Sequence, residues 1–408
     1  MKDKILAKTE SLLPQMVSTL GEMVSFPAVS PDDGGEGEYA KAQFLLQKLN
    51  ELGFDNITVH TSPDPNARGG GHPNIVFGVK GRKAKRLWFV AHIDVVPEGD
   101  RKLWNTDPFN AVIKDGRIYG RGTSDNGQSL VASLYALYAL KELGITPEYE
   151  ICLALVSNEE VGSEHGIKYL IQQNLFRKDD LVVVPDMGSE NGDMIEIAEK
   201  TMAWLDFTLR GKQVHASTPE LGINACRAAN EFCCNLDNAL HAAFPEEDKT
   251  FIPPCSTFEP TRRSANVPNV NTVPGIETFS FDCRLLPSVS FADVKKVIDS
   301  EIKKTEEKHG VKITFKVTMS GSSQTQTPSD APVVKMLIGA IKDVFPNVKP
   351  QTFGIGGGTC AAFFRAEGIH SAVWGQNLGS EHMPNEFAVI EHLLNEAKVF
   401  ALMMAGKK

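Results

Sequence analysis

The sequence lacks any apolar run long enough to cross a bilayer, and its first residues, Met1-Lys2-Asp3-Lys4, lack the apolar core of a signal peptide. The expected location is the cytoplasm, with no membrane partner. Seven cysteines are present without a Cys-x-x-Cys pair, and two of them, Cys233 and Cys234, are adjacent. An odd count without that spacing fits buried, reduced thiols and excludes a disulfide framework or a zinc-thiolate site. Basic charge is also short: 42 Lys and Arg stand against 51 Asp and Glu, a formal net charge of -9 spread along the chain. That balance argues against nucleic acid as a partner. Neither an internal repeat nor a low-complexity tract occurs. What is there is 408 residues, 42% of them hydrophobic. This exceeds the usual span of one core, so two domains are expected.

The most informative stretch runs from Arg86 to Asp125. A β-prone run, Leu87-Trp88-Phe89-Val90-Ala91, delivers His92 and Asp94. Residues i and i+2 of an extended segment share a face, so the Asp94 carboxylate can align the His92 imidazole or join it at a cation. Asp125 follows Gly122-Thr123-Ser124 and precedes a helical pattern ending at Gly144, which places it where a loop enters a helix. Two further apolar runs end in acids: Tyr149–Ser157 leads into Asn158-Glu159-Glu160, and Leu181–Val184 into Pro185-Asp186. Strands alternating with helices indicate a mostly parallel α/β sheet with helices on both faces, and ligands bind beyond the carboxyl ends of such strands. A lone His-x-Asp after a strand is more often a hydrogen-bonded pair than a metal site. The coincidence of His92, Glu159, Glu160 and Asp186 at such ends is what favours the metal reading.

The remaining segments organise around this unit. Residues 4 to 52 carry helical periodicity in two pieces. From about residue 199 the pattern changes to strands that alternate apolar and polar residues (202–209, 278–285 and 312–319), with helical stretches at 224–244 and 291–309. This predicts an inserted α+β domain over 199–319, with residues 1–198 and 320–408 forming the catalytic domain and Ser320–Thr325 linking back. Beyond the insertion lie a helical stretch (331–344), the glycine-rich Gly354–Thr359, and His382. That glycine run lacks the Lys-Ser/Thr of a phosphate-binding loop.

Two histidines and three or four carboxylates at strand ends suit zinc, with manganese or cobalt as substitutes. Two divalent ions bring four positive charges, which Asp125, Glu160, Asp186 and one hydroxide cancel. Such ions lie about 3.5 to 4 Å apart and can activate water while polarising a carbonyl. Adjacent Glu159 and Glu160 project differently, so one can bind metal while the other serves as a general base.

The segments His92-Ile93-Asp94, Gly120-Arg121-Gly122 to Asp125, Glu159-Glu160-Val161-Gly162, Pro185-Asp186 and Glu381-His382 resemble the co-catalytic zinc metallopeptidase and deacylase family. That family includes glutamate carboxypeptidase, bacterial dipeptidases, aminoacylase, acetylornithine deacetylase and succinyl-diaminopimelate desuccinylase. The resemblance covers nearly the whole chain and implies a dizinc catalytic domain with an inserted lid and dimerisation domain. It implies that His92, Asp125 and Asp186 hold one zinc and that Asp125, Glu160 and His382 hold the other. It makes Glu159 the base, Asp94 the partner orienting His92, and His215 a histidine reaching the oxyanion across a homodimer. Asn271, Arg284, Gly357, Gly358 and Thr359 match substrate-binding positions; for Arg284 a structural ion pair with Asp282 is the competing reading.

Three positions depart from the family's deacylases. Asn126-Gly127-Gln128 follows Asp125 where Met-Lys-Gly is common, the ligand at 186 is Asp where deacylases tend to carry Glu, and Cys360 stands where Asp is frequent. The first two are closer to the peptidases. The expectation is therefore a dizinc dipeptidase or carboxypeptidase-type exopeptidase acting on small peptides. An N-acyl amino acid deacylase is the second reading, and a catalytically silent binding protein of the same fold is a third. Intact Glu159 and a full ligand set count against the third.

Overall fold

A computed structural model describes residues 1–320 and 325–406. The chain divides into two compact units: residues 1–197, 327–353 and 359–408 form the larger, and 198–326 with 354–358 the smaller. These boundaries differ from the sequence expectation by a few residues at the insertion. Gly354–Gly358 also groups with the smaller unit, because Gly354 N–H donates to Thr250 O, Lys200 N–H donates to Ile355 O and Arg284 donates to Gly356 O. Most of the linker expected at Ser320–Thr325 lies outside the described residues.

The large unit is built on an eight-stranded sheet. Its centre is parallel: Lys83–His92 lies between Tyr149–Val156 and Leu181–Val184, and Ser371–Val373 extends the parallel set beyond Leu181–Val184. Its flanks are antiparallel, with Gly71–Val79 pairing Tyr149–Val156 on one side and Met194–Glu199 meeting Ser371–Val373 on the other. The sheet is thus mixed, and the parallel part is the part whose strands read as continuous apolar runs. Alternate side chains explain those runs. Trp88, Val90, Cys152, Ala154, Val182 and Val184 pack with Ile167, Leu170, Ala361 and Phe364 from the short helices Ile167–Gln172 and Ala361–Ala366. Phe89, on the opposite face, meets Phe400 of the Ile390–Ala405 helix at a ring separation of 5.1 Å.

Helical periodicity before residue 52 resolves into three helices, Lys2–Ser11, Leu13–Val24 and Tyr39–Glu51. The first pair breaks at Leu12, ahead of Pro14 in the first turn of the second helix, where proline is tolerated. No helix among the described residues is long and apolar enough to cross a membrane.

The small unit has a four-stranded antiparallel sheet in which Thr201–Arg210 lies between Ile276–Leu285 and Lys312–Ser320, with Thr257–Arg263 at the far edge. The strand Thr201–Arg210 alternates buried Ala203, Leu205, Phe207 and Leu209 with more accessible neighbours. Phe207 stacks against Phe279 and Phe315 and meets Phe232 of the Ala225–Ala243 helix edge-on. That helix and Phe291–His309 cover the apolar face.

Glu396 on the last helix is fully buried and accepts hydrogen bonds from Gln128 Nε2, Ser129 Oγ and Gln376 N–H, each at 2.7 Å. Burial outweighs these donors and pushes its carboxyl up to about 7. A raised folded pKa means that the native state binds the extra proton, so this residue's contribution to stability is present below the unfolded carboxyl pKa and is lost as pH rises toward 7. Urea midpoints of the metal-free protein are expected to fall across this interval, and Glu396→Gln is expected to flatten the fall.

Candidate metal centre

The chemistry gathers where the parallel strands of the large unit end. His92 closes its strand, Glu159 and Glu160 follow the strand Tyr149–Val156, and Asp186 follows Leu181–Val184. Asp125 lies in the irregular turn Thr123–Gln128 that leads into the Ser129–Glu142 helix. Gly122 opens that turn at φ 78°, and a Cβ there would stand 2.5 Å from the Val95 side chain, so glycine is required. His382 comes from the loop before Phe387–Val389 and takes φ 60°, an uncommon value for a side-chain-bearing residue.

His92 Nε2 lies 2.8 Å from Asp125 Oδ1 and 3.3 Å from Asp186 Oδ1. His382 Nε2 lies 3.1 Å from Asp125 Oδ2 and 3.0 Å from Glu160 Oε2. The two oxygens of Asp125 therefore face two different groups of donors. Ligands at ~2.1 Å around a tetrahedral ion stand about 3.4 Å apart, so both groups have the spacing of a cation site. A third combination, His92, Glu159 and Asp186, also brings donor atoms within 4.8 Å of one another. Only His382 is well exposed, at 56% of its side chain. The centre opens on that side.

The electrostatics of the donors fit divalent cations. Burial and the neighbouring Asp186 carboxylate raise Glu159 well above the usual range, and burial with Asp125 pushes Glu160 up to about 7. Hydrogen bonds to Asp125 and Glu160 bring His382 up to about 10. For His92, burial opposes the charged ring, but Asp186, Asp125 and Asp94 outweigh it. Asp125, buried as well, is held low by the two imidazoles. Without an ion these groups coexist only by taking up protons, which a cation would displace.

The supporting contacts fix each donor. His92 Nδ1 donates to the main-chain oxygen of Asp94 at 3.1 Å, whereas the Asp94 carboxylate Oδ1 stands at 3.6 Å. Asp94 thus reaches the imidazole chiefly through its backbone, and its Oδ2 accepts Glu160 N–H at 3.0 Å. Asn126 Nδ2 donates to Asp186 Oδ1 and to Pro185 O. Cys360 is buried within the core beneath the site, and burial together with Glu159 pushes its thiol up.

Two residues without an assigned role in the sequence matter here. Glu386 is fully buried and accepts N–H bonds from Gly122, Ser124 and Asp125 as well as from Arg121 Nη1, gripping the whole Asp125 turn. Lys41 is buried and brought down to about 8 by that burial, against the pull of Asp94, Glu386, Glu38 and Glu160. Glu386 stands four residues after His382 in a polar loop, and nothing in its neighbours' sequence marks it as buried. Lys41 sits on a helix whose period alone places it near the core.

His215, Asn271, Arg284, Gly357 and Gly358 belong to the small unit, and Thr359 to the large one. His215 pairs with Thr272 in a two-stranded ribbon beside Asn271, whose main-chain oxygen accepts Ala216 N–H. The His215 ring is exposed, and its Nδ1 accepts the Ser217 main-chain N–H, which leaves the proton on Nε2. Arg284 is engaged by both Asp282 oxygens at 2.6 and 2.9 Å and by Gly356 O, the structural pairing that competed with a substrate role. Thr359 is buried and its Oγ1 caps Ala361 N–H.

The profile of "Peptidase family M20/M25/M40" matches residues 88–406. The chain is 40% identical to an uncharacterized metallohydrolase of Methanocaldococcus jannaschii, over 95% of this chain and 98% of that protein. It is 28% identical to a succinyl-diaminopimelate desuccinylase of Nautilia profundicola, over 94% and 97% of the two chains. Among solved structures, a tripeptidase of Staphylococcus aureus superposes with a TM-score of 0.77 at 20% identity, covering 96% of this chain and 98% of the other.

Adding zinc to metal-free protein at pH 7 is expected to release protons, because His382 and Glu160 must give theirs up to become ligands. Calorimetry in two buffers of different ionisation enthalpy measures that release, and apparent affinity is expected to rise with pH. By equilibrium dialysis, Asp125→Asn is expected to weaken divalent-metal binding more than Asp186→Asn does, because Asp125 faces both imidazoles and Asp186 only His92.

Proposed function

The chain belongs to peptidase family M20/M25/M40, a family of metal-dependent hydrolases, and on that premise we propose that it is a two-zinc exopeptidase of the dipeptidase or carboxypeptidase type. The observation that carries this reading is the contact between Asn126 and Asp186. These are two positions at which the sequence departs from the deacylase pattern, and they depart together as a fitted pair. Asn126 Nδ2 donates to Asp186 Oδ1, so the two departures meet in one hydrogen bond.

In this reading His92, Asp125 and Asp186 would hold one ion, and Asp125, Glu160 and His382 the other. Two cations there would supply Lewis acidity toward water and toward the scissile carbonyl. Glu159, crowded by Asp186 and Glu160, has the raised proton affinity of a general base. It takes a proton from the attacking water and returns it to the leaving amine. His215 presents its Nε2–H for donation to the developing oxyanion, from the partner in a homodimer joined through the inserted unit. Arg284 retains N–H groups beyond those given to Asp282 and Gly356 and would pair with the substrate carboxylate.

The desuccinylase relative favours a second reading, an N-acyl amino acid deacylase using the same machinery. The zinc-loaded protein is expected to cleave unblocked dipeptides in preference to N-acetyl and N-succinyl amino acids. The reverse preference in a side-by-side assay would establish the deacylase. Glu159→Gln is expected to lower kcat by about 10²- to 10⁴-fold with zinc content unchanged. A fully active species that sediments as a monomer would exclude His215 acting from a partner.

A further inference from the structure

Behind the turn that carries Glu159 and Glu160 lies a second group of ionisable side chains, to which neither the family resemblance nor the mechanism above gives a part. Glu38 is fully buried at the start of the Tyr39–Glu51 helix. One of its oxygens accepts Asn158 N–H at 3.1 Å and the other faces His72 Nδ1 at 2.8 Å. The far nitrogen of His72, Nε2, faces Asp64 Oδ2 at 3.2 Å, and Asp64 Oδ1 accepts Asn66 N–H at 2.9 Å. His72 is itself 1% exposed. A chain of hydrogen bonds thus runs from the Asp64 loop through the imidazole and Glu38 to the backbone immediately before Glu159.

Asn158 is where that chain ends, and it is held in a conformation that needs holding. Its φ is 63°, in the left-handed region that asparagine enters when its short polar side chain and backbone are held by local hydrogen bonds. Its main-chain oxygen accepts Ser163 N–H at 2.7 Å, and its side chain accepts His165 N–H at 3.1 Å. The neighbouring Ser157 N–H is fixed on Asn74 Oδ1, and Glu160 N–H on Asp94 Oδ2. Glu38 supplies the middle of these three clamps.

Asp64, His72 and His165 also bring donor atoms within 4.8 Å of one another, the spacing of a cation site. Two observations oppose that use. The His72 and His165 rings are stacked, 4.5 Å between centroids and 14° from parallel, so their in-plane lone pairs do not converge on one ion. Moreover, both nitrogens of His72 face carboxylate oxygens, which only accept, so both nitrogens carry protons.

We propose that His72 is a positioning residue for the hydrolytic base: as an imidazolium between Glu38 and Asp64, it holds the Glu38 carboxylate on Asn158 N–H and thereby sets the turn that presents Glu159 and Glu160. Glu38 is fully buried, and the His72 ring supplies its counter-charge at hydrogen-bond distance. Lys41, three residues on along the same helix, is a further cation whose charge acts on Glu38. The catalytic half of this inference rests on the role proposed for Glu159; the structural half does not.

The test begins without substitution. Side-chain nitrogen NMR of the histidine-labelled, zinc-loaded protein at pH 7.5 is expected to show both ring nitrogens of His72 protonated. A neutral ring, or a ring proton lost on adding further zinc, overturns the proposal, the latter in favour of a cation site. In His72→Gln the Asn158 amide is expected to exchange about tenfold faster or more while Leu153 to Leu155 stay protected; unchanged exchange at Asn158 overturns the proposal whatever the substrate proves to be. On any cleaved substrate, His72→Gln is expected to lower kcat by about 10- to 100-fold with KM and zinc content held, the scale of lost outer-shell support. A change in KM alone would overturn the catalytic half and leave the NMR and exchange results to decide the structural half.

Discussion

Carboxylates crowded at one end of a sheet set the terms for the large unit. Asp125, Glu159, Glu160 and Asp186 converge on two imidazoles in a space from which water is largely removed. Like charges so placed are tolerated only with compensating protons or cations. The surrounding structure holds them in place against that repulsion. Glu386 accepts three N–H groups of the Asp125 turn, Asp94 accepts Glu160 N–H, and Asn126 donates to Asp186, so Asp125, Glu160 and Asp186 are each fixed by a neighbour outside the donor set. The apolar strands below supply the rigid base on which this depends, since side chains buried on both faces leave a strand end little freedom.

This division explains what the sequence disclosed. The strands Lys83–His92, Tyr149–Val156 and Leu181–Val184 were legible because burial on both faces writes itself as an unbroken apolar run, and the acids that end them stand out by contrast. The strands and helices around Phe207 were legible through strict alternation and helical period. Met194–Glu199 was not, because Glu196 and Glu199 interrupt its apolar run, and Gln351–Ile355 was not, because it buries a single residue. Asp125 stands, as its sequence indicates, where a loop enters a helix; the irregular form of that turn was not legible, since the backbone there answers to Glu386, which follows it by more than two hundred residues.

The supporting residues share that difficulty. Glu38, Lys41, His72 and Glu386 are polar, and composition alone assigns such residues to the surface. Glu38, His72 and Glu386 are buried where each meets a partner from a remote segment, and sequence spacing carries no trace of that partner. Family resemblance supplied the donors themselves; it was silent on what holds them.

The main segment of the smaller unit begins after Ile197 and ends before Thr327, and these two residues are hydrogen-bonded to each other, Thr327 N–H to Ile197 O at 2.9 Å. The larger unit therefore closes on itself at the point of insertion, and the intervening residues form a loop whose ends are already pinned. Lengthening such a loop adds only about 0.6 kcal/mol of closure entropy per doubling. Growing a four-residue turn to the length of this segment takes about five such doublings, about 3 kcal/mol, a cost that a segment folded on its own core can offset.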